Sequence, residues 1–216
     1  MKERSELCES PEEELWNTLT HGFGALLSLG ALAWMTLKAI PLGAMAVTGV
    51  VVFGVSLVLL YTASTWYHFV RADPWKRALQ LVDHTLIYVL IAGSYTPWLL
   101  MNLRGVLGWT LLVLIWALAV VGVILKLVYF PRFQRFGLFL YIAMGWFVVV
   151  AIKPMFESVS GSGMTWLFVG GVCYTVGVIF FAAEKLKFGH FVWHLFVLAG
   201  SVSHIVAVFV GVLVSP

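Results

Sequence analysis

Residues 190–213 read HFVWHLFVLAGSVSHIVAVFVGVL, a run without a single Asp, Glu, Lys or Arg. At about 1.5 Å per residue, a helix of this length reaches across a hydrocarbon core about 30 Å thick. An ordinary soluble domain has no place for such a segment, so this stretch decides the class of the protein: an all-α membrane protein. The run opens on two histidines, His190 and His194, which stand four residues apart and therefore share one helix face. A third, His204, lies ten residues beyond His194 and turns to another face.

Working back toward the amino terminus, six more apolar runs can be marked, at about 19–37, 43–69, 79–101, 106–125, 135–152 and 164–183. Together with 191–213 they predict a seven-transmembrane helix bundle; six or eight spans are less natural divisions. The second run, ending in Ser64-Thr65-Trp66-Tyr67-His68, is long enough to tilt or protrude. Composition agrees, with 62% hydrophobic and 11% charged residues in a chain of 216, far outside the range of soluble domains. The expected organisation is a short acidic cytoplasmic segment, 1–18, followed by one transmembrane domain, 19–216. The glutamate-rich tail from Met1 to Glu14 is the wrong flank for a cleaved signal peptide, so the first span is expected to stay in place. Cys8 and Cys173 fall in different environments, and no disulfide is assigned.

The formal charge of +3 does not point to nucleic acid, because the basic residues fall between apolar runs, where membrane topology accounts for them. With seven spans, one side receives Lys2, Arg4, Arg71, Lys76, Arg77, Lys126, Arg132, Arg135, Lys185 and Lys187, and the other only Lys38, Arg104 and Lys153. Ten against three puts the amino terminus in the cytoplasm and the carboxyl terminus outside. Most tryptophans lie near predicted span ends, as an interfacial belt requires. Pro97 and Pro154 read as kinks or helix ends.

Ionisable groups within or at the ends of membrane helices are costly to keep and so point to function. Here Glu14, Asn17 and His21 lead into the first span, Ser64 and His68 end the second, Asp83 and His84 open the third, and His190 and His194 open the seventh. On the topology above they all lie toward the cytoplasmic side. Two imidazoles on one face can reach one ion, and a third ligand from another helix, with His68 the candidate, would leave the fourth position to water, as catalytic zinc prefers. Asp83 could bind the metal directly or act on that water, the second being preferred. A histidine pair of this spacing also suits an interfacial helix or a proton relay. His204 reads as a polar contact inside the bundle or a lining residue of a path, and His84 as structural.

These residues resemble the progestin and adipoQ receptor family and, within it, the bacterial hemolysin III branch. The resemblance runs through Glu14-x-x-Asn17-x-x-x-His21-Gly22, Ser64-x-x-x-His68, the stretch from Asp83-His84 through Ile87-Tyr88 to Tyr95-Thr96-Pro97, and His190-x-x-x-His194. It covers nearly the whole chain. It implies seven spans with the amino terminus inside, a zinc ion held by His68, His190 and His194, an aspartate matching Asp83 that reaches it through water, and a serine matching Ser64. It also implies a link to ceramidase-like hydrolysis, with a membrane lipid as substrate, while the branch name refers to haemolytic behaviour.

Three functions are therefore weighed. In the first, a zinc-dependent hydrolase of a lipid amide or ester, Asp83 handles the attacking water and Ser64 hydrogen-bonds the oxyanion. In the second, zinc only staples spans two and seven in a sensor or pore-forming protein; in the third, Asp83, Glu14 and the histidines relay protons in a transporter. Assembly into a homo-oligomer is compatible with each.

Overall fold

The computed structural model describes residues 10–70, 74–129, 134–183 and 186–214. Cys8, Lys2, Arg4, Arg71, Arg132, Glu184, Lys185, Ser215 and Pro216 lie outside the described residues. Those described are helical throughout, with no strand. The helices are α1 (Pro11–Ala39), α2 (Ala44–Phe69), α3 (Lys76–Met101), α4 (Val106–Tyr129), α5 (Gln134–Gly145), α6 (Ile152–Ser158), α7 (Gly161–Ala182) and α8 (Gly189–Val208), the last running on into a π-helical turn, Phe209–Leu213.

Among the described residues, six segments are long and apolar enough to cross a membrane: Pro11–Leu42, Ala44–Phe69, Val106–Tyr129, Phe136–Ser158, Gly161–Ala182 and Gly189–Leu213. The remaining long helix, α3, has 26 residues but is not among the six. Its polarity has a structural cause. It packs against α2, α4, α5 and α8, and among its buried residues are Asp83, His84 and Thr96, so much of its surface meets protein rather than lipid. The bundle is inverted relative to a soluble protein: Leu26, Leu37, Val106, Val150 and Ile179 are exposed, an apolar exterior suited to hydrocarbon.

Among the described helices, α2 packs on α1 and α3, α4 on α3, and α7 on α8, and α1 also packs on α8. Gly43 (φ 94°) and Gly105 (φ 91°) make the turns α1–α2 and α3–α4 in a backbone region that side chains disfavour. Three details differ from the sequence reading. The first helix begins at Pro11, with Ser10 capping Glu13 N–H at 3.2 Å, eight residues before the expected start of the span; its acidic opening suits a helix N-terminus. The 135–152 run is not one helix: α5 stops at Gly145, a 3-10 turn spans Phe147–Ala151, and α6 follows with Pro154 in its first turn. The break is held by α3, whose Tyr95 hydroxyl donates to the Gly145 carbonyl (2.7 Å) and accepts from Val148 N–H (3.0 Å). Irregular backbone at membrane depth needs such partners. Finally, Lys76 and Lys126, read as loop cations, are buried.

Candidate metal centre

On α1, Glu14, Asn17 and His21 follow at three and four residues, so all three face inward, and all are buried. Ser64 and His68 stand one turn apart on α2, and His190 and His194 one turn apart on α8. The packing of α1 between α2 and α8 brings these pairs together. One ligand nitrogen from each of His68, His190 and His194 lies within 4.8 Å of the others, and the ring centroids are 4.8 to 5.0 Å apart. A group of this kind can hold a metal ion.

The donor chemistry fits that use. His68 Nδ1–H donates to Glu14 Oε2 at 2.6 Å, which leaves Nε2 as a lone pair with no hydrogen-bond partner. Carboxylates hold metal-binding imidazoles in this way, fixing the tautomer and raising basicity. His194 Nδ1 likewise has no partner, and its ring stacks on His21 at 3.5 Å. Two buried nitrogens left without partners inside an apolar bundle would be costly unless something binds them.

Glu14 is itself held. Lys76 Nζ donates to Glu14 Oε1 (2.9 Å) and to the Tyr67 carbonyl (2.7 Å), and sits 4.3 Å from the centre of the Tyr67 ring. Sequence reasoning missed this lysine. A cue was present, since Lys76 and Asp83 are seven apart and thus on one face of α3. Lys126, at the cytoplasmic end of α4 on the expected topology, was missed too; it is buried and contributes to the field at Asp83.

Ser64 Oγ shares a 2.7 Å hydrogen bond with His21 Nδ1. This bond joins α1 to α2, and Asp83, buried on α3, lines the same cavity as His21 and Ser64. His84 stands apart: its ring edge meets Phe181 and its carbonyl accepts from Tyr141 at 2.7 Å.

The site opens into a long cavity. His21, Ser64, Asp83, His190 and His194 line one end, and Leu103 and Met155 line the other. From Asp83 to Leu99 on α3 the lining extends roughly 24 Å at about 1.5 Å per residue, and nearly all of that length is apolar or aromatic. His204 lines it midway.

The family model described as haemolysin-III related matches residues 10–205. Hemolysin-3 of Bacillus cereus is 49% identical over 191 residues, covering 88% of this chain and 87% of that protein. The Hemolysin-3 homolog of Bacillus subtilis is 46% identical over 191 residues, covering 88% and 90%. The human monocyte to macrophage differentiation factor is 32% identical over 166 residues, covering 73% and 67%. No solved structure matches significantly. The three histidines fall within the residues that the family model matches, and the chain belongs to the haemolysin III family, as a multi-pass protein of the bacterial plasma membrane.

Proposed function

We propose that this protein is a zinc-dependent hydrolase of a lipid amide or ester, with seven crossings of the membrane and a cytoplasmic amino terminus. The observation that carries the reading is the meeting of three imidazoles within 4.8 Å of one another with a carboxylate, Asp83, at the polar end of an otherwise apolar cavity. A ligand with a long hydrocarbon chain and one polar linkage fits that distribution, because its chain would lie among apolar side chains and its linkage beside Asp83.

His68, His190 and His194 would hold the ion. When bound, zinc polarises a carbonyl and lowers the pKa of water to about 7. Asp83 would take the proton from the attacking water, and Ser64, which lines the same cavity, would hydrogen-bond the oxyanion. Ser64 has one proton to give, and it is available for that donation when His21 Nδ1–H donates to the serine oxygen. The excess of basic residues on the side that carries the site supports the proposed orientation.

The name of the Bacillus cereus relative raises lysis as a second reading. The apolar lining disfavours an open aqueous channel through one chain. Both readings meet one experiment: metal content of the detergent-purified protein, hydrolysis of long-chain lipid amides, and dye leakage from vesicles, each for the wild type beside His68→Ala, His194→Ala and Asp83→Asn. The expected result is close to one zinc per chain, lost in the histidine variants and kept in Asp83→Asn, with turnover abolished in all three. A wild type that takes up no zinc when supplied with it sinks the hydrolase, and leakage unaffected by the variants would favour a pore independent of the metal.

A further inference from the structure

Metal-binding imidazoles need their rings held, because the second side-chain torsion of histidine is broad and the ligand nitrogen swings with it. His68 is held by the Glu14 carboxylate. His194 Nδ1 has no hydrogen-bond partner, and the face of its ring is covered by another imidazole. His21, on α1, stacks on it with ring centroids 3.5 Å apart and planes within 7° of parallel.

His21 is itself fixed by its neighbours. Its Nδ1 shares the 2.7 Å bond with Ser64 Oγ on α2, and its ring meets that of Tyr61, also on α2, at 4.9 Å and 87°, edge to face. Tyr61 is anchored to α8 by donating to Ser201 Oγ at 2.8 Å. Its ring fits against α1 because Gly24 stands three residues after His21: a Cβ there would come within 2.6 Å of the Tyr61 ring. The stack is therefore built into the packing of α1, α2 and α8. Glu14 and His21 are seven residues apart and share one face of α1. Each touches a different histidine of the group, and neither belongs to it.

We propose that His21 is a positioning residue of the metal centre, which sets the plane of the His194 ring by stacking and is not itself a ligand. With Glu14 holding His68, α1 then orders two of the three ligands while supplying none. A flat side chain is what the stack needs; the hydrogen bond to Ser64 is a separate use of the same ring. The role rests on the proposed function for the presence of the ion. Its readouts are metal affinity and the visible spectrum of bound cobalt(II), neither of which requires turnover.

The test is competition of the full-length protein in detergent against a zinc-selective chelator, for wild type beside His21→Leu, His21→Ala and His21→Phe. Leucine fills nearly the same volume without a flat face, and phenylalanine restores the face without the bond to Ser64. His21→Leu and His21→Ala should weaken zinc binding about 10-fold, the lower end of what losing a group that orients a ligand costs. His21→Phe, which keeps an aromatic pair, should stay within about 3-fold of wild type. Cobalt(II) should give coincident visible bands in wild type and His21→Phe, and displaced bands in His21→Leu. Met35→Ala, a buried truncation roughly 21 Å farther along α1, controls for loosening of the helix and should leave both readouts unchanged. Zinc held as tightly by His21→Leu as by wild type, or as weakly by His21→Phe as by His21→Leu, overturns the positioning role, and so does an equal loss in Met35→Ala. The alanine variant takes the place of the leucine one if that chain does not fold. A wild type that takes up neither metal removes the proposed function along with the stack's role, whereas equal affinities in a zinc-binding protein remove that role alone.

Discussion

A lysine at the head of an apolar run looks like a loop cation, and for Lys76 that appearance misleads. Its ammonium is buried with the Glu14 carboxylate, where a charge is tolerated only if paired and hydrogen-bonded. Glu14 in turn fixes the His68 ring, so the three residues act as one chain on the metal side. The histidines and Asp83 were legible because ionisable residues stand out against apolar surroundings. The partnership was not, because Glu14 and Lys76 are 62 positions apart and each resembles an ordinary flanking charge. Glu14→Ala and Lys76→Met should each weaken zinc affinity by about 10- to 100-fold, the usual effect of removing a partner that orients a ligand. Glu14→Gln, which keeps a carbonyl to accept from His68 Nδ1, should lose less. Competition against a zinc-selective chelator measures this; unchanged affinity in all three variants would mean that the chain is only a structural ion pair.

Helices were more legible than their edges. Seven apolar runs correspond to six membrane-length apolar segments and α3, the one whose polar residues face the interior. The early start of α1 was hidden because Glu12, Glu13 and Glu14 resemble a solvated tail, whereas Glu13 and Glu14 are buried. The break between α5 and α6 was hidden for a different reason: the group that satisfies it, the Tyr95 hydroxyl, comes from another helix. Local sequence carries no record of that contact. Tyr95→Phe would leave the Gly145 carbonyl and Val148 N–H without it, and the expected cost is about 1 kcal/mol or more. A lowered thermal unfolding midpoint in detergent is the readout, with Ser94→Ala as the control because Ser94 bonds only within its own helix, to Ile91. Equal midpoints for Tyr95→Phe and the control would show that the break holds without Tyr95.

For the molecule as a whole, burial of Lys76 and Lys126 changes the arithmetic of orientation. Lys76 and Lys126 are buried, and setting them aside changes the sequence count from ten against three to eight against three. The bias survives, and only charges free to interact across the membrane surface set topology. Reporter fusions should therefore place the two chain ends on opposite sides: a fluorescent protein active in the cytoplasm at the amino terminus, and a periplasmic phosphatase active at the carboxyl terminus. A phosphatase fusion that is made but inactive at the carboxyl terminus, with a fluorescent protein active there instead, would refute seven crossings.

The contact between α1 and α8 also sets an order of events during synthesis. Glu14 and His68 leave the ribosome early, whereas His190 and His194 follow more than 120 residues after His68. Until α8 enters the membrane and docks on α1, the chain presents one imidazole of the three. Assembly of the histidine group is consequently a late step, available only to chains whose α8 has been inserted, and a nascent chain stalled after α7 would reach the membrane with one of its three imidazoles.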